Sequence, residues 1–226
     1  ILFFIYKIME YIIYNDKLNK TDLMLLNIVI NENCKVGKNV KIYSNVCLLG
    51  NCEISDDVEL NVNTVISNSK IGKGVKILSS HIEDCEIDEN SCIGPFAHLR
   101  NNTIIGKNCR IGNFVEIKNS TLGTDCKVAH LSYIGDATLG KNCNIGCGVV
   151  FCNFNGKIKQ KCVIGNNVFV GSNVNLIAPI RLEDNSFIAA GSTINKDVKK
   201  DEFAIARARQ ENKKNFKNPY IKHEKS

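Results

Sequence analysis

The sequence predicts an all-β fold, a parallel β-helix of hexapeptide repeats. From Ile164 to Ile194 an aliphatic residue returns at every sixth position, a period that fits neither an α-helix nor an alternating strand. The same period recurs upstream from Ile30, with several changes of phase. Glycine often follows the aliphatic residue, as in Ile111-Gly112, where the chain must bend without a Cβ. We therefore expect three short strands per coil, each with one aliphatic side chain pointing inward.

The repeat sets the domain boundaries that we predict. Residues 28–198 form the β-helix, in about nine coils of about 18 residues. Residues 150–161 form a loop extruded from it. Residues 1–27 precede it as an N-terminal helical linker or segment, and residues 199–226 follow it as a basic C-terminal tail.

The first 14 residues are apolar but contain Lys7 and Glu10. A bilayer span needs about 20 consecutive apolar residues, so we do not expect this segment to cross a membrane. We expect a helix packed on a partner or on the first coil, with a targeting role as the alternative.

The eleven cysteines do not have the spacing of a metal site or a disulfide framework, since no CxxC pair occurs. Several occupy the small inward position four residues after the aliphatic one. Because such buried thiols behave as small hydrophobic side chains, we predict free, packed cysteines and a reducing, cytoplasmic location. The cysteines at this position are Cys34, Cys52, Cys109, Cys126 and Cys143.

The formal net charge is +6, from 29 basic and 23 acidic residues, and much of the excess follows Lys196. No motif accompanies it that would indicate nucleic-acid binding, so a solvated or phosphate-facing tail is the simpler interpretation. Asparagine and lysine are abundant in the turns, which we interpret as a compositional bias.

The repeat is interrupted most strongly between Ile145 and Ile164. The insert contains Asn155-Gly156 and three lysines, which indicates an exposed polar loop. We expect its lysines and Asn153 to enclose a ligand held against a neighbouring subunit. A tolerated surface loop is the alternative.

A second interruption surrounds His130, within residues 128–136. Polar residues recur in the same coils, and Arg100 precedes Lys118 by 18 residues, which is one coil. Two cations stacked about 5 Å apart repel unless an anion joins them, and a phosphate is the simplest such anion. The spacing therefore favours a phosphorylated substrate.

Several runs resemble one bacterial family. These runs include GPFAHLR (94–100), GNFVEIK (112–118) and AHLSYIGD (129–136), with further matches up to AAGS (189–192). Over about residues 30 to 210 the chain resembles the C-terminal acetyltransferase half of the bifunctional N-acetylglucosamine-1-phosphate uridyltransferase and glucosamine-1-phosphate N-acetyltransferase. The resemblance implies a trimeric left-handed β-helix that acetylates glucosamine-1-phosphate with acetyl-CoA, for UDP-N-acetylglucosamine and cell-wall precursor synthesis.

The resemblance also implies roles for individual residues. His130 would be the catalytic base, which accepts a proton from the sugar amine. The sugar phosphate would be bound by Arg100, Lys118, Tyr133, Asn144 and Lys159. Acetyl-CoA would contact Cys147, Asn153, Phe154, Ser172, Ala190 and Arg207, with Asn153 at the point where amine and thioester meet.

The chain departs from the family pattern in three ways. Phe154 stands where the family usually has tyrosine, and Cys147 replaces the usual alanine. Residues 1–27 do not resemble the family's nucleotidyltransferase half. We therefore expect no synthesis of UDP-N-acetylglucosamine from UTP and no metal in this part, and a separate uridyltransferase becomes a candidate partner.

Two alternatives stay open. One is another hexapeptide-repeat acyltransferase with a different acceptor. The other is a non-catalytic trimeric β-helix that scaffolds a partner. A zinc-dependent carbonic anhydrase on this fold would need three histidine ligands, and the four histidines show no close pair in the sequence.

Overall fold

The structure is a computed structural model that describes residues 11–13, 24 and 26–214. It is an all-β solenoid whose strands form three sheets, here named faces A, B and C, and all pairs are parallel except the one made by the first strand of face A. The chain visits the faces in turn, so each strand pairs with the strand of the same face in the next coil. The predicted parallel β-helix is confirmed.

Face A has eleven strands. In spatial order they are β1 (Tyr11–Ile13), β4 (Lys41–Tyr43), β7 (Glu59–Leu60), β10 (Lys76–Ile77), β13 (Cys92–Ile93), β16 (Arg110–Asn113), β19 (Lys127–His130), β22 (Asn144–Ile145), β25 (Phe169–Val170), β28 (Phe187–Ile188) and β30 (Phe203–Ala204).

Face B has ten strands. They are β2 (Val29–Ile30), β5 (Cys47–Leu49), β8 (Val65–Ser67), β11 (His81–Glu83), β14 (His98–Arg100), β17 (Glu116–Lys118), β20 (Tyr133–Gly135), β23 (Val150–Cys152), β26 (Asn175–Ile177) and β29 (Thr193–Ile194).

Face C has nine strands. They are β3 (Lys35–Val36), β6 (Glu53–Ile54), β9 (Lys70–Ile71), β12 (Glu86–Ile87), β15 (Ile104–Ile105), β18 (Thr121–Leu122), β21 (Ala137–Leu139), β24 (Cys162–Ile164) and β27 (Ile180–Leu182).

The aliphatic residues of the repeat fill the interior of the solenoid. Ile111, Ile117 and Leu122, one from each face of a single coil, are all buried, and the same holds along the stack. Burial of apolar surface favours folding by about 25 cal/mol per Å², so this continuous core is the main stabilising contribution. Phe151 is the largest fully buried side chain.

The abundant asparagines have a structural cause, which corrects their interpretation as a compositional bias. Many of them lie at coil corners in the left-handed region, for example Asn45 with φ 60° and Asn167 with φ 56°. Asparagine tolerates this conformation better than most side chains. The amides also bond to one another along a corner, as Asn142 to Asn167 at 3.0 Å and Asn167 to Asn185 at 3.1 Å.

All eleven cysteines are free, as predicted. Cys109, Cys126 and Cys143 stack in successive coils, and each thiol donates to a glycine carbonyl one coil further on at 3.1 Å. Contact with the Cys126 thiol, followed by burial, raises the pKa of Cys109 and of Cys143. Burial raises the pKa of Cys162 to about 12. Cys109, Cys143 and Cys162 therefore stay protonated at neutral pH and serve as packing groups.

The N-terminal segment differs from the expected helix at residues 11–13. There β1 pairs antiparallel with β4, and Ile12 is buried against the first coil. The open edge of face A explains the difference, because a strand can satisfy its free hydrogen-bonding groups. The rest of the apolar segment 1–14 lies outside the described residues.

The C-terminal boundary also differs, because the solenoid continues past residue 198. β30 pairs with β28, and its Phe203 ring lies 5.7 Å from that of Phe187. Ala204 occupies the inward position of this short last strand and packs against the core.

The extruded loop begins later than predicted. Residues 150–152 form β23, because Phe151 is a core residue, and the loop occupies residues 153–161. No helix within the described ranges is long and apolar enough to cross a bilayer.

Candidate active site

The side chains of Arg100 and Lys118 project from neighbouring strands of face B. They are register partners in β14 and β17, as their 18-residue spacing predicts. Arg100 already has an acidic partner, because its Nε and Nη2 donate to Glu116 Oε1 at 2.9 and 2.6 Å. Its Nη1 donates to Asn101 Oδ1 at 2.8 Å. Arg100 is therefore held in place before any ligand arrives.

Within this cluster, no acidic residue of the described chain forms an ion pair with Lys118 or Lys159. The loop brings the Lys159 ammonium group against that of Lys118, and this contact is the main reason that the pKa of Lys118 lies below its ordinary value. Desolvation and the charge of Arg100 act in the same direction, and Asp136 opposes them. Because like charges held together are relieved by an anion, the pair is suited to a phosphate group.

The loop that carries Lys159 is an ordered turn. Asn155 Oδ1 accepts hydrogen bonds from the backbone N–H groups of Lys157 and Ile158 at 3.0 and 2.9 Å. Phe154 and Lys159 form an antiparallel bridge that closes it. At its neck, Asn153 C=O accepts from Gln160 N–H at 2.7 Å. The loop is therefore built to hold Lys159 and Asn153 in fixed positions.

Tyr133 and Asn153 lie beside these cations. Tyr133 begins β20 on face B, and its hydroxyl lies 3.4 Å from Asn153 Nδ2. The side chain of Asn153 is buried and donates to Asp136 Oδ2. The structure thus brings together five of the predicted site residues, which are Arg100, Lys118, Tyr133, Asn153 and Lys159.

His130 lies at the edge between faces A and B, at the end of β19. Its Nδ1 is 2.7 Å from Asn113 Oδ1. An amide oxygen only accepts hydrogen bonds, so Nδ1 carries the hydrogen in this pair. In the neutral ring, the lone pair is then on Nε2, which is the nitrogen that can accept a proton.

His130 shares this edge with three residues predicted to contact acetyl-CoA. Each of the four stands immediately before a corner residue of positive φ, namely Leu131, Gly148, Asn173 and Gly191. Backbone hydrogen bonds connect the corners, as from Asn173 N–H to Cys147 C=O and from Gly191 N–H to Ser172 C=O. The edge therefore presents His130, Cys147, Ser172 and Ala190 in successive coils.

The two remaining residues predicted to contact acetyl-CoA are exposed. Arg207 returns to the edge, where its Nη1 donates to Ala190 C=O at 3.1 Å. Phe154 projects from the loop and is 60% exposed. Its ring is free to contact a ligand, while the hydroxyl of the family's usual tyrosine is missing.

Asn144 does not join the other sugar-site residues within one chain. It lies on β22 of face A, between Lys127 and Phe169 in register, whereas Lys118 and Tyr133 lie on face B.

The same A/B edge exposes apolar side chains upstream of Cys147. Phe96, Phe114 and Leu131 have positive φ values of 58°, 55° and 44°, and all three are exposed. The two phenylalanine rings stack at 5.5 Å. A left-handed backbone is costly for bulky residues, and such positions are concentrated at functional surfaces.

Sequence reasoning assigned no role to Asn113, Glu116 or Asp136. Asn113 and Asp136 could have been found from spacing, since each lies 17 residues from the site residue it contacts, His130 and Asn153 respectively. Glu116 lies 16 residues from Arg100, on the adjacent strand of the same face. All three stand inside the motifs that carry the family resemblance.

His81 and His98, the described histidines outside this edge, do not belong to a metal site. His81 and His98 stack on face B with ring centroids 5.3 Å apart, and His98 lies 3.7 Å from Glu83. Across residues 11–13, 24 and 26–214, no group of three or more His, Cys, Asp or Glu side chains is arranged to hold a metal ion.

Two family models match parts of the chain. The GMPPB C-terminal domain matches residues 81–154, and the bacterial transferase hexapeptide (six repeats) matches residues 161–196. Among solved structures, the UDP-N-acetylglucosamine acyltransferase of Francisella novicida has a TM-score of 0.56 at 19% identity, covering 79% of this chain and 65% of that one. This similarity shows a shared fold.

The curated relatives are more similar in sequence. The bifunctional protein GlmU of Clostridium botulinum (strain ATCC 19397 / Type A) is 48% identical over 187 residues, which cover 83% of this chain and 41% of GlmU. GlmU of Clostridioides difficile (strain 630) is 46% identical over 181 residues, which cover 80% of this chain and 39% of that protein. The chain spans less than half the length of these relatives.

These matches confirm the resemblance found in the sequence. The chain carries the bacterial transferase hexapeptide repeats over residues 161–196 and is similar to the C-terminal half of GlmU.

Proposed function

We propose that the chain is a glucosamine-1-phosphate N-acetyltransferase that uses acetyl-CoA. The observation that most supports this proposal is the pair of ammonium groups of Lys118 and Lys159, held together beside Arg100, Tyr133 and Asn153. A sugar phosphate would neutralise these cations and place its amine next to polar side chains.

The residues at the A/B edge supply the rest of the reaction. The sugar amine attacks the thioester carbonyl of acetyl-CoA, and His130 Nε2 accepts the amine proton as the C–N bond forms. The C–S bond then breaks, and the CoA sulfur leaves and takes up a proton. Cys147, Ser172 and Ala190 would contact acetyl-CoA along the edge, and Arg207 would bind a CoA phosphate. No covalent enzyme intermediate is required.

We further propose that the active form is a homotrimer with sites between subunits. Asn144 lies on face A, whereas Arg100 and Lys118 lie on face B, and a site between two copies would bring face A of one copy to face B of its neighbour. The exposed corner residues Phe96, Phe114 and Leu131 offer apolar surface for such a contact. Cytoplasmic location, suggested by the eleven free thiols, and a separate uridyltransferase acting on the product are also proposals.

The test is incubation of the purified chain with acetyl-CoA and glucosamine-1-phosphate, with mass-spectrometric detection of N-acetylglucosamine-1-phosphate. We expect product from the parent chain and a loss of about 10²-fold or more in His130→Ala. His81→Ala is the matched control, because His81 is an exposed histidine on face B, one coil before the strand of Arg100, and it should keep the parent rate.

Two outcomes would contradict this function. Product formed from a different amine or hydroxyl acceptor, and none from glucosamine-1-phosphate, would indicate another hexapeptide-repeat acyltransferase. A folded oligomer that transfers acetyl to no acceptor would indicate a scaffold.

A further inference from the structure

Asp136 is a buried acidic residue beside the cation cluster. It occupies a corner of positive φ, 53°, between face B and face C. Its Oδ1 accepts a hydrogen bond from Asn119 Nδ2, and its Oδ2 accepts one from Asn153 Nδ2, both at 2.5 Å. Both carboxylate oxygens therefore accept from amide donors. Asn119 lies at the same corner of the preceding coil, and Asn153 lies at the start of the loop.

Gly135 leaves the space that this arrangement needs. A Cβ built on Gly135 would lie 2.4 Å from the Tyr133 hydroxyl oxygen and 2.6 Å from Asn153 Nδ2. Real Cβ atoms do not approach other atoms this closely, so an alanine here would displace the tyrosine, the asparagine or both. The absence of a side chain at residue 135 thus lets the Tyr133 ring and the Asn153 amide lie over the backbone.

These contacts determine which atom of the Asn153 amide is free. Nδ2 faces Asp136 and lies 3.4 Å from the Tyr133 hydroxyl. The backbone of Asn153 is also fixed, by Phe151 C=O and by Gln160 N–H. Within the described part of the chain, no donor contacts Asn153 Oδ1. A side-chain amide has one acceptor oxygen and one donor nitrogen, so a donor committed inward leaves the acceptor for a ligand.

We propose that Asp136 is a positioning residue that orients Asn153 so that its Oδ1 accepts a hydrogen bond from the amine of the acceptor sugar. This inference rests on the proposed function and specifies how its site selects an amine. An acceptor oxygen binds an N–H of the amine and leaves the nitrogen lone pair free for the thioester. A reversed amide would present N–H to that lone pair and would compete with the attack.

The test is ligand binding by calorimetry in the absence of acetyl-CoA, with two sugar phosphates. Glucosamine-1-phosphate carries the amine, and 2-deoxyglucose-1-phosphate has no donor at that carbon. The parent chain should prefer the amine by about tenfold, the effect of one hydrogen bond to a buried acceptor. Asp136→Asn leaves a single acceptor oxygen for the two amide donors of Asn119 and Asn153. The side-chain amide of Asn153 can then turn over and exchange its oxygen and nitrogen. The affinities of this variant for the two sugar phosphates should then differ by no more than about twofold, and it should still bind 2-deoxyglucose-1-phosphate.

Two further variants separate positioning from structural damage. Asn119→Ala removes the other amide on the same carboxylate and should keep the tenfold preference. Gly135→Ala disturbs Asn153 from the opposite side and should lose the preference as Asp136→Asn does.

Each remaining outcome overturns the inference. If Asp136→Asn prefers the amine as strongly as the parent chain, Asp136 does not orient Asn153. If Asp136→Asn and Asn119→Ala both lose affinity for the two sugar phosphates to the same extent, the role of Asp136 is structural. If the folded parent chain binds neither sugar phosphate, the proposed function fails and the inference fails with it.

Discussion

At the level of single side chains, the contact with Asn113 decides which nitrogen of His130 can act as a base. The amide oxygen holds the hydrogen on Nδ1, so Nε2 keeps its lone pair. Asn113 itself lies one coil before His130, and in the proposed reaction it would act through the ring.

We therefore predict that Asn113→Leu lowers kcat by about tenfold, because the imidazole loses the partner that fixes its tautomer. The Michaelis constants for both substrates should stay within about twofold of the parent values, since Asn113 is not a predicted ligand. Steady-state kinetics measures both quantities. Asn113→Asp keeps an acceptor oxygen at the same place and should retain most of the activity. An equal loss in both variants would contradict this role.

The lowered pKa of Lys118 predicts how sugar-phosphate binding depends on pH. Its pKa is lowered from 10.5, chiefly by contact with Lys159, so it loses its charge at a lower pH than an ordinary lysine. A bound phosphate favours the charged form and raises the pKa again. Without an anion, the charged pair opposes folding at neutral pH, and this opposition fades as pH rises through the lowered pKa.

We expect the affinity for glucosamine-1-phosphate to fall as pH rises from about 7.5 towards 10, with proton uptake on binding. Titration calorimetry in buffers of different ionisation enthalpy measures both effects. Lys118→Arg stays charged over this range and should show a weaker decline. A decline as steep as that of the parent chain would assign the pH dependence to another group.

Spacing along the sequence predicted some of these residues and missed others, for a physical reason. A constant coil length places Arg100 above Lys118, which the register confirms. It does not predict that Glu116 pairs with Arg100, because one strand presents alternate side chains to the same face and any of them can bend towards a neighbour. Lys118 and Lys159 come together although no repeat spacing relates them, because Lys159 is carried by the loop.

Among the elements, β30 shows how the last coil is completed. Phe169, Phe187 and Phe203 stack in register along face A, with ring centroids 4.4 and 5.7 Å apart. The hexapeptide pattern ends at Ile194, so the sequence placed the boundary at residue 198. A two-residue strand without a repeat around it carries too little pattern to be predicted.

We predict that truncation after Val198 lowers the unfolding temperature by about 4 °C or more, because β28 becomes an open edge and loses the cover of Phe203 and Ala204. Truncation after residue 214 retains β30 and serves as the control. Thermal unfolding followed by circular dichroism measures the difference. Equal unfolding temperatures for the two truncated chains would show that β30 adds no stability.

For the whole molecule, the separation of Asn144 from Lys118 predicts how subunits share a site. If each site takes Lys118 from one copy and Asn144 from its neighbour, chains with Lys118→Ala and chains with Asn144→Ala can complement each other when coexpressed. A random 1:1 mixture would leave about one site in four with both native residues. We therefore expect about a quarter of the parent activity from the mixture and little from either variant alone.

The acetyltransferase assay measures this recovery, and mass spectrometry of the intact oligomer establishes that both chains are present. Mixed trimers with no recovered activity would show that one chain supplies both residues to a site. A monomeric parent chain that is fully active would also contradict shared sites.

The three-residue strand β1 has a consequence for how these molecules meet end to end. Parallel strands with a constant register could in principle continue from one solenoid into the next, as in fibrils that grow by strand addition. On face A that continuation is blocked, because the edge of β4 is already bonded to a strand that runs in the opposite direction. An incoming copy would have to displace β1 before it could continue the parallel register of this sheet, so β1 opposes growth of face A into a filament of stacked solenoids.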